Sequence, residues 1–298
     1  MQVMMIGEPN SGKTTFMAGM YKEMTEEGGF TIRIHDENKR RQLEKLGSNL
    51  TRGIYPSRTD IAQTYHFDLL VEDIYIFDFE WYDYRGGLYT EYNPNSREAR
   101  ELDEKCETCD AMIVFIDSTK LLDKGFKRYW RQLKGTIERF ACTAADDPKT
   151  LSIVFTKCDM ERGYNITDTE AWGDISSFLG ELCEYQYLHG LMTFSHINRK
   201  IIFPVVDVFM WTMRLNFLKQ CQACIANAAY ARSQSAAYNP NLDNIAGAIG
   251  RFFNGETPKY KIAEIQANKA EALGGMFAKL GEIFVETAKE DDCHYILF

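Results

Sequence analysis

The sequence predicts an α/β fold with a mostly parallel central sheet, and three observations carry that prediction. Short apolar runs alternate with helix-length amphipathic stretches from residue 2 to about residue 218. A glycine-rich turn, Gly7 to Thr15, joins the first apolar run to the first helical stretch. Polar residues of distinct chemistry follow the apolar runs at Gly7, Asp83 and Thr156, and the carboxyl ends of strands are where open α/β sheets hold ligands.

In chain order, strands are expected at Gln2–Ile6, Phe30–Ile34, Ala62–Val71, Ile74–Trp81, Ala111–Asp117, Leu151–Phe155 and Ile201–Val206. The first is the short apolar run that ends at Gly7. The stretch before Tyr82 is apolar and aromatic. Leu151–Phe155 is a continuous apolar run of the kind a buried strand needs. Helices are expected at Lys13–Glu26, Glu37–Leu50, Ser96–Cys109, Lys124–Cys142, Thr169–Tyr187 and Val208–Tyr230. Composition shifts near Lys219 to an Ala-rich stretch, then to breaks at Tyr238-Asn-Pro-Asn and Gly255-Glu-Thr-Pro. Ile262 to Lys289 reads as one amphipathic helix, which packs on its own domain or on a partner. The final Cys-His-Tyr-Ile-Leu-Phe is apolar enough to pair as a strand or to dock.

The 298 residues suffice for one large domain, or for a domain with an appendage. With 45% hydrophobic and 26% charged residues the composition is that of an ordinary globular chain. No apolar stretch approaches the length of roughly 18 residues that a membrane span needs. The start lacks the basic segment and cleavage site of a signal peptide, so a cytoplasmic location is expected. A net charge of −9 argues against general nucleic-acid binding, which relies on neutralising phosphates. Basic residues do gather at Arg33, Lys39, Arg40, Arg41 and Lys45, and at Lys124, Lys127, Arg128, Arg131 and Lys134, mainly on solvated helix faces. Cys106/Cys109 and Cys221/Cys224 have the C-x-x-C spacing of a zinc site, but both pairs fall on expected helices without the tight turns such sites use. No zinc is expected.

Gly7-Glu-Pro-Asn-Ser-Gly-Lys-Thr-Thr is G-x-x-x-x-G-K-T, a phosphate-binding loop set between a strand and a helix. Gly7 and Gly12 let successive backbone N–H groups converge on phosphate oxygens, and the following helix points its positive end there. Asn10, Ser11, Gly12, Lys13, Thr14 and Thr15 form the expected nucleotide-binding set. Lys13 reaches the β and γ phosphates, and Thr14 offers its hydroxyl to Mg²⁺.

Downstream residues bear on the base. Thr156-Lys157-Cys158-Asp159 looks like the guanine-specificity pattern [NT]-K-x-D. A carboxylate at Asp159 can accept two hydrogen bonds from guanine, which adenine cannot supply. The Lys157 stem can lie along the base. A strand-end lysine followed by a helix-capping Asp is the competing reading, under which the protein would be an ATPase. Asp83-Tyr-Arg-Gly86 matches D-x-x-G, with Asp83 in the metal shell and the Gly86 N–H sensing the γ phosphate. Asp78 competes for the acidic role. Thr59 is the candidate for a switch threonine that completes the metal shell, with Thr51 as runner-up.

Their order along the chain resembles that of Ras-like, TRAFAC-class P-loop GTPases, over about residues 1 to 218. Gly-Lys-Thr-Thr-Phe-Met-Ala, Gly-Ile-Tyr-Pro-Ser-Arg-Thr and Tyr-Asp-Tyr-Arg-Gly-Gly together resemble the bacterial double-GTPase families. The resemblance implies a three-layer P-loop NTPase fold over 1–218 with a C-terminal helical extension over 219–298. It implies a Mg²⁺-dependent GTP-binding protein that hydrolyses GTP slowly and acts as a molecular switch. A protein partner or a second GTPase copy is expected alongside GTP and GDP. Thr156 in place of Asn resembles dynamin-like GTPases, and Pro9-Asn10 resembles the TrmE and Era GTPases. That makes Asn10 a candidate K⁺ ligand; the competing reading is a turn Asn that tolerates a left-handed backbone.

The departure concerns hydrolysis. The position after D-x-x-G, where Ras-like proteins carry a water-orienting Gln, is Gly87. Arg58 in cis, K⁺ at Asn10, or an arginine from a partner could supply the missing charge; Arg58 could equally be a solvated loop charge. A proper arginine finger is worth about 10³ to 10⁵ in rate. A non-hydrolysing nucleotide sensor or assembly module is the alternative. The family's last base-packing motif has no S-A-K counterpart around Val206-Asp207-Val208.

Overall fold

In the computed structural model, residues 1–26, 30–56, 62–71, 74–84, 95–145, 147–159, 164–182, 184, 188–194, 196–198, 201–203 and 295–297 are described, with 205–206, 208–213, 215–216, 219, 223, 226 and 229–230. They fall into two compact units, Met1–Leu215 with Glu282–Phe298, and Asn216–Gly281. The described residues of the second unit are helical.

The first unit holds an eight-stranded, mostly parallel sheet. Its strands are β1 (Gln2–Gly7), β2 (Phe30–Ile34), β3 (Gln63–Val71), β4 (Ile74–Asp83), β5 (Ala111–Asp117), β6 (Lys149–Thr156), β7 (Leu188–Phe194) and, last in the chain, β10 (Tyr295–Leu297). Across the sheet they run β10-β7-β6-β5-β1-β4-β3-β2. Parallel pairing joins β4, β1, β5, β6 and β7. β2, β3 and β4 pair antiparallel, and so do β7 and β10. The central strands β5 and β6 are buried at every residue, which is why they read as unbroken apolar runs.

Helices α1 (Lys13–Glu26), α2 (Glu37–Leu50), α3 (Arg97–Thr108), α4 (Phe126–Cys142) and α5 (Glu170–Leu182) follow the expected places. Asp36 caps α2 by accepting the N–H groups of Asn38 and Lys39, and Ser96 caps α3 by accepting that of Ala99. One face of the sheet packs Met4, Met112, Val114, Ile116 and Ile153 against α3, α4 and α5. The other is aromatic. Phe67 stacks on Phe79 at 5.0 Å, and Trp81 stacks on Phe209 at 5.8 Å, within the helical residues 208–213. Phe16 of α1 meets Phe115 edge-on at 5.1 Å on this face.

One expected strand is corrected. The strand beside β6 is Leu188–Phe194, not Ile201–Val206. Ile201–Phe203 (β9) instead pairs antiparallel with His196–Asn198 (β8) in a separate two-stranded sheet. The apolar run at 201–206 contains a proline at 204, and Val205 and Val206 already lie in helix. A proline cannot donate to a ladder, so the run divides there. The apolar ending at Tyr295–Leu297 pairs with Thr193, Met192 and Leu191 of β7. The expected helix at 262–289 lies outside the described residues.

Candidate functional site

The site begins where β1 turns into α1. Gly7 takes φ 153°, and a Cβ there would stand 2.6 Å from the Phe115 carbonyl oxygen and 2.7 Å from Ser11 Oγ. Only glycine fits against β5 at this point. Gly12 and Asn10 adopt φ 94° and 63°, curling the loop. Asn10 therefore holds the left-handed conformation that its turn reading requires. The Ser11 N–H donates to the Glu8 carbonyl at 3.2 Å, and the Phe16 N–H donates to the Gly12 carbonyl at 2.8 Å to open the helix.

Lys13 is buried, and its ammonium donates to the carbonyls of Gly7 and Glu8 at 3.0 Å each. Burial pulls its pKa down to about 8, against the attraction of Asp83 and Glu8. The parallel register sets Met5 opposite Asp83, which brings the end of β4 to the phosphate loop. The Thr14 hydroxyl donates to Asp83 Oδ2 at 3.4 Å. Asp83 is 3% exposed, and burial pushes its pKa up to about 6, opposed by Lys13 and the Thr14 bond. A hydroxyl and a carboxylate side by side are the oxygen donors that Mg²⁺ takes, so Thr14 and Asp83 fit the ion. Asp78 is exposed and accepts the Tyr75 hydroxyl at 2.8 Å, which holds its carboxyl below the usual range. Thr51 caps the end of α2, donating to the Ser48 carbonyl at 2.7 Å.

The residues of the expected base site lie at the carboxyl ends of β5 and β6. The Thr156 hydroxyl contacts the Ser11 carbonyl at 2.9 Å and the Ile116 carbonyl at 3.3 Å. Its methyl would lie 3.4 Å from a Cβ on Gly12. The first residue of the guanine pattern is thus packed against the phosphate loop. Lys157 turns left-handed at φ 60°, and its ammonium donates to Asp117 Oδ2 at 2.5 Å. Asp159 is exposed at the turn after β6.

Residues that sequence reasoning passed over complete the arrangement. Asp117 ends β5 opposite Thr156 in the register. Its Oδ1 accepts the Thr119 N–H at 3.1 Å and the Thr119 hydroxyl at 2.6 Å. Ser118 donates to the Thr156 carbonyl at 2.5 Å and accepts the Tyr164 hydroxyl on its own carbonyl at 2.8 Å. Lys120 pairs with Glu8 at 3.0 Å. Buried Tyr129 of α4 accepts the Glu8 N–H at 3.2 Å and reaches the Phe115 carbonyl at 3.5 Å. A cleft of about 330 Å³ lies beside these groups, lined by Glu8, Lys120, Asp123, Arg128, Tyr129 and Gln132 among others. The signal available in the sequence was positional: Asp117 ends an apolar run just as Thr156 does.

Cys106 and Cys109 are buried in and just after α3, and burial pushes the Cys106 thiol up to about 12. Among the basic residues, Lys127 and Lys134 pair with Glu170 and Glu181 of α5. Arg58, Thr59, Gly86 and Gly87 lie outside the described residues, as do Cys221, Cys224 and Asp207. The strand beside β6 is β7, which ends at Phe194, so Val206 does not follow that strand. Among the described residues, no helix is long and apolar enough to cross a membrane.

Residues 4–149, just under half of the chain, match the family model described as Double-GTPase 1. No curated protein matches the chain. Among solved structures, a chain of the signal recognition particle receptor SRb-GTP/SRX complex from Chaetomium thermophilum is similar with a TM-score of 0.38 at 10% identity, covering 66% of this chain and 90% of that one. The matched segment contains the phosphate loop and Asp83, and β6 continues directly from it into the guanine pattern. The match over residues 4–149, together with these motifs, supports a GTP-binding protein similar to P-loop GTPases of the double-GTPase type.

Proposed function

We propose that the protein is a Mg²⁺-dependent molecular switch that hydrolyses GTP slowly. The observation that carries this reading is the convergence of Lys13, Thr14 and Asp83 at the carboxyl ends of β1 and β4. Lys13 rests on two backbone carbonyls and is placed to exchange them for phosphate oxygens. Thr14, Asp83 and the switch threonine Thr59 would hold Mg²⁺, which when bound neutralises charge on the β and γ oxygens. Asp159 would accept the guanine N1–H and exocyclic amine. The Gly86 N–H would sense the γ phosphate, and its release after hydrolysis would relax the switch segments.

The reaction is in-line attack of water on the γ phosphoryl group, with catalysis by charge placement. Gly87 cannot orient that water. Arg58, a K⁺ ion at Asn10, or an arginine from a protein partner or second GTPase copy would supply charge instead. Gly87 also favours a second reading, a sensor that binds GTP without turnover. The proposed setting is the cytoplasm.

Equilibrium binding of GTP, GDP and ATP with Mg²⁺, followed by phosphate release in K⁺ and in Na⁺, tests the proposal. Guanine-selective binding with slow release is expected, and Asp159→Asn should shift preference from GTP toward xanthosine triphosphate. Equal or better ATP binding would overturn the guanine assignment. Selective binding without any release would leave the sensor.

A further inference from the structure

We infer that Asp117 is a positioning residue for the guanine nucleotide, acting through Lys157. The inference rests on the guanine-binding reading of residues 156–159. Its carrier is the geometry of two neighbouring strand ends. The parallel register of β5 and β6 sets Asp117 opposite Thr156, so the carboxylate stands beside the residue that follows. That carboxylate is 2% exposed and lies 2.5 Å from the Lys157 ammonium, while Lys157 itself is 31% exposed.

The carboxylate is held from behind. The backbone N–H and the hydroxyl of Thr119 both bind Oδ1, which leaves Oδ2 directed at Lys157. Lys157 is a non-glycine residue with φ 60°, a conformation that needs support from its surroundings. Ser118 donates to the Thr156 carbonyl and Tyr164 donates to the Ser118 carbonyl, so the segment after β5 is fastened to the end of β6 and to Tyr164. A charge-assisted bond of this kind fixes direction as well as distance. The Lys157 ammonium is anchored on Asp117, which holds the Lys157 side chain in place at the carboxyl ends of β5 and β6. Asp117 touches no base atom in this account. It sets the lysine on which a base face would rest.

The test is a double-mutant cycle on nucleotide binding, with fluorescent GDP and GTP analogues and ATP as competitor. Asp117→Asn keeps the shape and removes the charge. It should weaken GDP and GTP by the same factor, about 10-fold. Lys157→Ala should weaken both at least as much. The decisive result is the double variant, which should bind no worse than Lys157→Ala alone. Thr119→Val removes one of the two bonds that hold Oδ1 and leaves the charge, and should give a smaller loss in the same direction. It serves as the second route should Asp117→Asn fail to fold. Unchanged affinity in Asp117→Asn, or losses that add fully in the double variant, would overturn the inference while leaving the guanine reading intact. No preference of the unmodified protein for guanine over ATP would defeat the guanine reading, and the inference with it.

Discussion

At the phosphate end of the site, Lys13 and Asp83 are buried charges drawn toward neutrality, whereas at the base end Lys157 and Asp117 face each other as a direct ion pair. Burial lowers Lys13 to about 8 and raises Asp83 to about 6. The hydrogen bond from Thr14 to Asp83 is long, at 3.4 Å. The base end is laced by short contacts through Asp117, Ser118 and Thr156. The contrast separates two strategies. The expected base end is tied together by direct bonds within the chain. The phosphate end stores charges whose natural partners, phosphate oxygens and a divalent cation, come with the ligand.

The comparison is broken most severely at Lys13. Lys13→Ala should lose GTP and GDP affinity by a factor on the order of 100 or more, since hydrogen bonds to charged groups are among the strongest. Yet the nucleotide-free protein should melt no lower than the unmodified chain, because the variant removes a buried charge. Calorimetry for binding and thermal melting without nucleotide read the two effects. A clear fall in the melting temperature would mean that Lys13 stabilises the empty fold.

Asp83→Asn sharpens the contrast at intermediate size. It should reduce Mg²⁺-dependent nucleotide affinity about 10-fold and raise the nucleotide-free melting temperature by a few degrees at pH 7. The sign follows from linkage. The folded-state pKa of Asp83 is raised, so its proton favours the folded state and that stability is lost as pH rises from about 4 to about 6. The folded-state pKa of Lys13 is lowered, so stability returns as pH rises from about 8 toward its usual value. From these two groups the nucleotide-free protein is weakest between roughly pH 6 and pH 8. Melting across pH should show the acid-side gain in the unmodified protein and not in Asp83→Asn.

The smallest effect belongs to the seam between the two ends. Thr156→Val removes the hydroxyl that contacts the Ser11 carbonyl and leaves that oxygen without this bond. About 1 kcal/mol is expected, which lowers the nucleotide-free melting temperature by about 2–4 °C and weakens nucleotide by about 5-fold. Here stability and affinity fall together, the reverse of Asp83→Asn. The same trend in the two variants would erase the distinction between the ends.

What could be read in advance follows the same division. The phosphate loop is contiguous, so Gly7, Gly12, Lys13 and Thr14 announced themselves by spacing. The buried strands β5 and β6 were legible because both faces are covered and the runs are unbroken. Asp117, Glu8, Lys120 and Tyr129 were not legible, because their meaning depends on the register of strands far apart in sequence. Glu8 meets Lys120 across 112 positions. β7 was missed because Leu-His-Gly-Leu-Met-Thr-Phe interrupts its apolar residues with His189, Gly190 and Thr193. Ile201–Phe203 looked more like a strand of the main sheet than β7 did, and its true pairing is local.

The parallel order of the sheet also sets a timetable for folding. The phosphate loop is local, closed within residues 7 to 16, and can form as soon as β1 and α1 meet. Asp83 joins Thr14 only after a loop of 69 positions closes, and Thr156 reaches Ser11 only across 145. Such distant closures are the slow steps of assembly. During synthesis the chain therefore carries a phosphate loop well before it carries anything that can recognise a base. Under the guanine reading, nucleotide selectivity is acquired after the phosphate loop, when β6 docks beside β5.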